Sequence, residues 1–202
     1  MRKATKSDKK LVVDILTKTF DKNPGLNWMF RKRMNHQKAL RRISTYAFSR
    51  ALARDGVYIS SNEMGVALCF RFNERVFSLG EFIHMVWYGL TCIRLDRIPK
   101  VLGHEAYRAG IRPASGDYLY FWFFGVLHEG KEAGFELKNA IFNKSIEDNI
   151  PIFVETTLER NVIVYERYGF KRYHYWEDKK DFLQMWFLKW DPAVEGKNHK
   201  PS

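Results

Sequence analysis

Cysteine is scarce: only Cys69 and Cys92 occur in 202 residues, far apart and each inside an apolar stretch. That excludes a disulfide framework and a multi-ligand zinc motif, so buried free thiols are expected and no metal is assigned. No apolar run reaches the roughly 18 residues that a membrane-spanning helix needs. The opening Met1-Arg2-Lys3-Ala4-Thr5-Lys6-Ser7-Asp8 lacks the apolar segment of a secretory signal. A soluble, cytoplasmic protein with no membrane partner is the expectation. Acidic residues are the minority, 23 against 34 Lys and Arg, leaving a formal charge of +11. Such a field favours an anionic partner without naming one: polyphosphate cofactor, nucleic acid or acidic protein.

What is present is apolar and aromatic, 46% and 16% of the residues, enough for one packed core and too little for two ordinary domains. There is no internal repeat and no low-complexity linker. A single domain is expected over 1–190, with a polar tail, 191–202, too poor in apolar surface to order itself. Ser7-Asp8 caps a first helix whose Leu11, Val12, Ile15 and Leu16 recur at helical spacing after a short opening strand. Asn23-Pro24-Gly25 reads as a turn, and about 34–54 as a long basic helix closed by Asp55-Gly56. The pattern then gives a hairpin, 57–60 and 65–72, and a helical stretch over about 81–109 broken by Pro99.

The run Tyr118 to Val126 is continuously aromatic and aliphatic but for Gly125, as in a strand covered on both faces at the centre of a sheet. A helix over 131–148, a short buried strand at 151–156, a helix at 158–168 closed by Gly169 and strands at 171–176 and 182–190 complete the pattern. Between the central strand and its helix lies His128-Glu129-Gly130-Lys131-Glu132-Ala133-Gly134. A strand that runs through a glycine-bearing turn into a helix presents free N–H groups and the positive helix end to a phosphate. The same glycines also serve ordinary turns and helix packing.

Downstream come Pro151-Ile152-Phe153-Val154-Glu155-Thr156-Thr157 and Arg160-Asn161-Val162-Ile163-Val164-Tyr165-Glu166-Arg167-Tyr168-Gly169-Phe170. With these the chain resembles the GNAT superfamily, the acyl-CoA-dependent N-acyltransferases, in which a strand, a pyrophosphate turn, a helix, a strand and an Asn…Tyr-Glu-Arg-x-Gly-Phe segment follow in that order. The opening Arg2-Lys3-Ala4-Thr5-x-x-Asp8 and Phe20-Asp21-Lys22-Asn23-Pro24 resemble the family as well. The resemblance runs to about residue 190 and is vague over 77–113. It implies an α+β fold with a central mixed, largely antiparallel sheet of about six to seven strands flanked by helices, and a variable helical insertion at about 81–112.

The resemblance also implies an acetyl-CoA or other acyl-CoA co-substrate and a primary amine acceptor, joined by direct attack in a ternary complex. Phe124, Gly125 and Val126 would hold the pantetheine arm. Glu129, Gly130, Lys131, Glu132, Ala133 and Gly134 would face the pyrophosphate, and Asn161 the cofactor arm. Tyr165 would lie near the thioester sulfur, where a phenol can return a proton to the departing thiolate; packing of the helix on the sheet is the alternative. Glu129 and Glu132 depart from the family turn, which usually has Gln or Arg and then Gly at those positions. Two carboxylates beside a pyrophosphate are each unfavourable by about 1 kcal/mol, so weakened CoA binding is expected.

The central strand carries no glutamate to act as base. Glu155 is chosen for that role, with His128, Glu81 and His84 as alternatives. Glu81, His84 and Trp87, with Tyr88, share one helix face and read as an acceptor-binding lid; a core stripe or a homodimer contact is the other reading. A nucleic-acid role for the basic helix is disfavoured because no recognition fold accompanies the charge. The rival to the transferase is a non-catalytic, CoA-sensing or protein-binding module of the same fold.

Overall fold

The computed structural model describes residues 1–31, 34–72, 76, 78–114 and 117–195. In chain order the elements are β1 (Arg2–Lys3), α1 (Lys9–Thr19), α2 (Pro24–Met29), α3 (His36–Leu52), β2 (Val57–Ile59), β3 (Gly65–Arg71), α4 (Leu79–Cys92), α5 (Ile98–Ile111), β4 (Leu119–Val126), α6 (Lys131–Asp148), β5 (Ile152–Thr156), α7 (Glu159–Arg167), β6 (Lys171–Asp178), β7 (Leu183–Trp190) and α8 (Pro192–Glu195). The strands form one seven-stranded sheet in the order β1-β2-β3-β4-β5-β7-β6. Every neighbouring pair is antiparallel except β4 and β5. The fold is therefore α+β, a mixed and largely antiparallel sheet between helices.

Strand alternation explains the continuous apolar runs. Val66, Leu68 and Phe70 of β3 face a core shared with Val12, Leu16, Leu40 and Ala47 of α1 and α3. Ala67 and Cys69 face the other side, where Leu137, Ile141 and Phe142 of α6 and Val162 of α7 pack. With both faces covered, no position on a central strand can be polar without a partner. Cys69 and Cys92 are buried free thiols.

The central strand is not regular. Leu68 pairs with Phe123 but the next residue, Cys69, pairs with Phe121, so Trp122 is an extra residue on β4. This bulge puts Trp122 and Phe123 on the same core side and bends the strand. Beyond it β4 leaves β5: their parallel ladder is Leu119↔Ile152, Tyr120↔Phe153 and Phe121↔Val154 and stops there. β5 remains paired with β7 to Thr156↔Trp186 and β4 with β3 to Val126↔Gly65, so the sheet splits into a V between them.

Local differences from the sequence reading have identifiable causes. Asn23-Pro24 is not a plain turn but the start of α2: the Asn23 side chain accepts from the Leu26 N–H at 3.0 Å, with Pro24 in the first turn. Pro99 does not break the helical stretch; the break lies at 93–97, and Pro99 sits near the start of α5, where no backbone donor is needed. After α3 the left-handed residue is Asp55, at φ 52°, rather than Gly56. Gly56 is required by contact, since a Cβ there would lie 2.5 Å from the Cys69 carbonyl oxygen. The tail is ordered through α8, which packs on α6; residues 196–202, expected to be disordered, lie outside the described residues.

Candidate functional site

Two cavities flank the V. The first, about 240 Å³, is a groove between α6 and α7, lined by Lys131, Gly134, Phe135, Lys138, Val164 and Tyr168 among others. The second, about 180 Å³, lies toward α2, α5 and the β6–β7 hairpin, with Trp28, His104, Arg108, Glu155 and Trp176 in its walls. Phe121, Phe124, Asn161 and Tyr165 line both and form the waist between them. The bulge on β4 and its divergence from β5 account for the gap in the sheet where these four residues lie.

The groove begins at the helix start expected from the sequence. Gly130 is the N-cap of α6 and supplies no side-chain cap, so the first N–H groups of the helix are left to other partners. The glycines differ in purpose. At Gly130 a Cβ would meet that of Met64 at 2.4 Å, and at Gly125 it would lie 2.5 Å from Thr19 Oγ1; both permit close packing. At Gly134 the nearest atoms are Val126 Cγ2 at 3.7 Å and Phe124 Cζ at 3.9 Å, so its missing side chain leaves room on the groove side. Ala133 is fully buried under the β2–β3 hairpin and does not face the groove.

Glu129 and Glu132 are exposed and neither lines the groove, whereas Lys131 and Lys138 do. This revises the expectation that two carboxylates confront the ligand: two lysines and no acid are among the groove's otherwise largely apolar lining residues. The Lys138 ammonium lies 4.7 Å from the Tyr168 ring centre and 5.4 Å from that of Phe142, and burial lowers its pKa. An amine held in this way, over apolar rings and without a carboxylate partner among the described contacts, suits an anion.

At the waist, Asn161 donates from Nδ2 to Thr156 Oγ1 at 3.2 Å, tying the start of α7 to the end of β5. Tyr165, one turn on, packs its ring against Phe121 and Phe170, at 6.4 and 5.3 Å between centroids. Burial pushes its hydroxyl well above the ordinary phenol range, so it stays protonated at neutral pH.

Glu155 is on the wall of the second cavity, as its strand position implies, but its carboxylate is occupied. Arg112 Nε and Nη2 donate to it at 2.5 and 2.9 Å, Tyr120 Oη donates at 3.2 Å, and Arg108 lies at 3.6 Å. Burial works against the Arg112 cation, but Tyr120, Glu155 and Glu105 together hold it above the usual guanidinium range. Both of its oxygens already accept from Arg112, and one of them from Tyr120 as well, in the fork geometry typical of a structural ion pair. The expected role of Glu155 as general base is thereby corrected to one of positioning: it anchors Arg112 and Tyr120 behind the cavity.

The lid also differs. Glu81, His84 and Trp87 do not line either cavity. Glu81 is paired with Arg54 at 2.7 Å, Trp87 lies under Arg42 at 4.9 Å, and Tyr88 stacks on Tyr46. α4 lies along α3, and it is α5 that returns over the cavity and contributes Val101, His104 and Arg108. His128, at the turn, is exposed and lines neither cavity.

His104 is the residue that sequence reasoning missed. Its ring stacks on Trp28 at 5.3 Å and meets Trp176 edge-on at 4.7 Å. Burial first, and then nearby Arg108 and Lys100, outweigh Asp178 and Asp181 and lower its pKa, leaving the imidazole neutral at pH 7. Within 77–113 only helical periodicity was available, and it does not say which helix reaches the cavity.

No group of three or more metal-ligating side chains is assembled among the described residues, and no described helix is long and apolar enough to cross a membrane. Sequence comparison finds no matching family model and no matching curated protein. Solved structures do match along nearly the whole chain. One is described as "histone acetyltransferase HPA2 and related acetyltransferase" from Corynebacterium glutamicum, 20% identical, TM-score 0.67, covering 96% of each chain. Another is arylalkylamine N-acetyltransferase 2 from Aedes aegypti, 12% identical, TM-score 0.63, covering 94% of this chain and 97% of that one. A third is a Drosophila melanogaster polyamine N-acetyltransferase, 10% identical, TM-score 0.61, with 94% and 98% covered. The V between β4 and β5, the helix start at its mouth and these likenesses agree: the chain has the fold of the GNAT superfamily.

Proposed function

We propose that the protein is an N-acyltransferase that moves an acetyl or other short acyl group from CoA to a primary amine by direct attack in a ternary complex. The observation that carries this reading is a pair of cavities that share Phe121, Phe124, Asn161 and Tyr165 in their walls. With a thioester in one cavity and an amine in the other, the two would approach these shared residues from opposite sides, converting a bimolecular step into an intramolecular one.

The groove fits an acyl-CoA: it has the uncapped start of α6, Lys131 and Lys138 for the phosphates, and the space left by Gly134. The free edge of β4, at Phe124, Gly125 and Val126, suits an extended pantetheine arm, with Asn161 opposite. When bound, acyl-CoA supplies the activated thioester carbonyl. Tyr165, in the wall shared by the two cavities, would give its proton to the departing sulfur. His104, neutral and held by ring contacts, takes the proton of the attacking amine, directly or through one water. Glu155 and Arg112 keep the Tyr120 side of the cavity rigid.

Thiol release from acetyl-CoA tests the assignment. Tyr165→Phe is expected to leave acetyl-CoA affinity within about threefold and to lower turnover roughly 10²-fold, within the range for a lost general acid. Unchanged turnover would remove Tyr165 from the chemistry. Acetyl-CoA binding with no thiol release in any amine would leave a CoA-binding module. The neighbours' names span an arylalkylamine and a polyamine, so the fold leaves the acceptor class open.

A further inference from the structure

We infer that the acceptor is a monoamine on an aromatic body rather than a polyamine, an inference that rests on the transferase reading above. The acceptor cavity is walled by Phe20, Trp28, Trp122, Phe123 and Trp176. Their rings form two packed groups rather than a scatter: Phe20 meets Phe123 at 4.8 Å and Trp122 meets Phe123 at 5.0 Å, while His104 joins Trp28 to Trp176. Flat apolar surface of this kind binds a ring through burial and offset or edge-on packing.

Charge decides against the alternative. A di- or polyamine presents at least one ammonium besides the nitrogen that reacts, and a buried ammonium is held far better by a carboxylate than by ring faces alone. Among the described residues the only carboxylate in the cavity wall is Glu155, and Arg112 and Tyr120 already donate to its oxygens, with Arg108 adjacent. The second acid of this network, Glu105, is itself held below the ordinary carboxylate range: burial opposes this, but Arg108 and Arg112 outweigh it. Two guanidiniums therefore balance two carboxylates, and the network has no negative charge left over. His104, also in the wall, is neutral, and Arg97 adds a further cation over the Trp28 ring at 4.5 Å; Asp178 and Asp181, which act on His104, are not among the wall residues, Asp181 being paired with Lys100 and Asp178 accepting from the Lys180 and Asp181 N–H groups. An extra ammonium would meet rings and cations; an aryl group meets rings.

The test is thiol release from acetyl-CoA by the full chain with phenethylamine, tyramine, putrescine and spermidine as acceptors, alongside calorimetry with acetyl-CoA alone. The expected result is a kcat/KM for phenethylamine or tyramine at least tenfold above that for putrescine or spermidine. Arg108→Glu adds an acid to the wall and should shift the ratio toward putrescine by about tenfold, while Trp176→Ala should raise KM for phenethylamine more than for putrescine. Equal or better use of putrescine or spermidine by the unaltered protein overturns the inference. So does acetyl-CoA binding with no turnover of the aromatic amines. Absence of acetyl-CoA binding overturns the transferase reading instead, and calorimetry distinguishes that failure from the other two.

Discussion

Gly125 and Gly134 belong to one strand–turn–helix unit and yet answer to different demands. Gly125→Ala forces a Cβ to 2.5 Å from Thr19 Oγ1, and overpacking of that kind costs about 1–3 kcal/mol, readable in urea unfolding. Gly134→Ala meets nothing closer than 3.7 Å and sits inside α6. It should stabilise the fold by up to about 1 kcal/mol and at the same time weaken acetyl-CoA binding several-fold by filling the groove. Opposite signs for stability and affinity in calorimetry and melting are the signature; affinity unchanged would show that the ligand does not approach Gly134. Arg112→Ala strands the Glu155 carboxylate, whose side chain is 7% exposed, and a loss of about 3–5 kcal/mol is expected. His104 has a folded pKa below its ordinary 6.5, so the unfolded chain binds the extra proton and stability falls as pH drops below that value. Urea midpoints at pH 7.5 and 5.5 should separate less in His104→Gln. The spacing of Asn161, Tyr165 and the turn glycines was legible because it follows the chain. The occupied state of Glu155 was not, because Arg112 is 43 residues away and only the fold brings it there.

At the scale of elements, strands and long helices followed from alternation and period, and the covered run at β4 correctly implied a central strand. Its bulge was invisible: Trp122 looks like any other member of the run, and only pairing with β3 shows it to be supernumerary. The exchange of α4 for α5 at the cavity has the same origin, since both helices are amphipathic and tertiary contacts choose between them. The β6–β7 hairpin holds a further unread feature. Phe182 has φ 53° and is 90% exposed, a left-handed conformation that costs a branched or bulky residue about 1 kcal/mol or more and glycine almost nothing. Phe182→Gly should therefore raise the melting temperature by a few degrees, net of glycine's greater entropy when unfolded. A lowered melting temperature would mean that the exposed ring packs against something in solution.

Across the whole molecule the sheet is continuous on one side of the V and again on the other, and the passage between is bounded by different elements at its two ends. α6 and α7 wall one cavity; α2, α5 and the β6–β7 hairpin wall the other. The waist at Tyr165 has a kinetic consequence. A ligand occupying one cavity leaves the other mouth uncovered, so neither substrate need precede its partner. Desulfo-CoA, a dead-end analogue, should compete with acetyl-CoA and act noncompetitively toward the amine, while a non-nucleophilic acceptor analogue should do the reverse. An uncompetitive pattern for either would instead mean that the first ligand builds the second one's site, and that the two cavities beside β4 and β5 are not both open at rest.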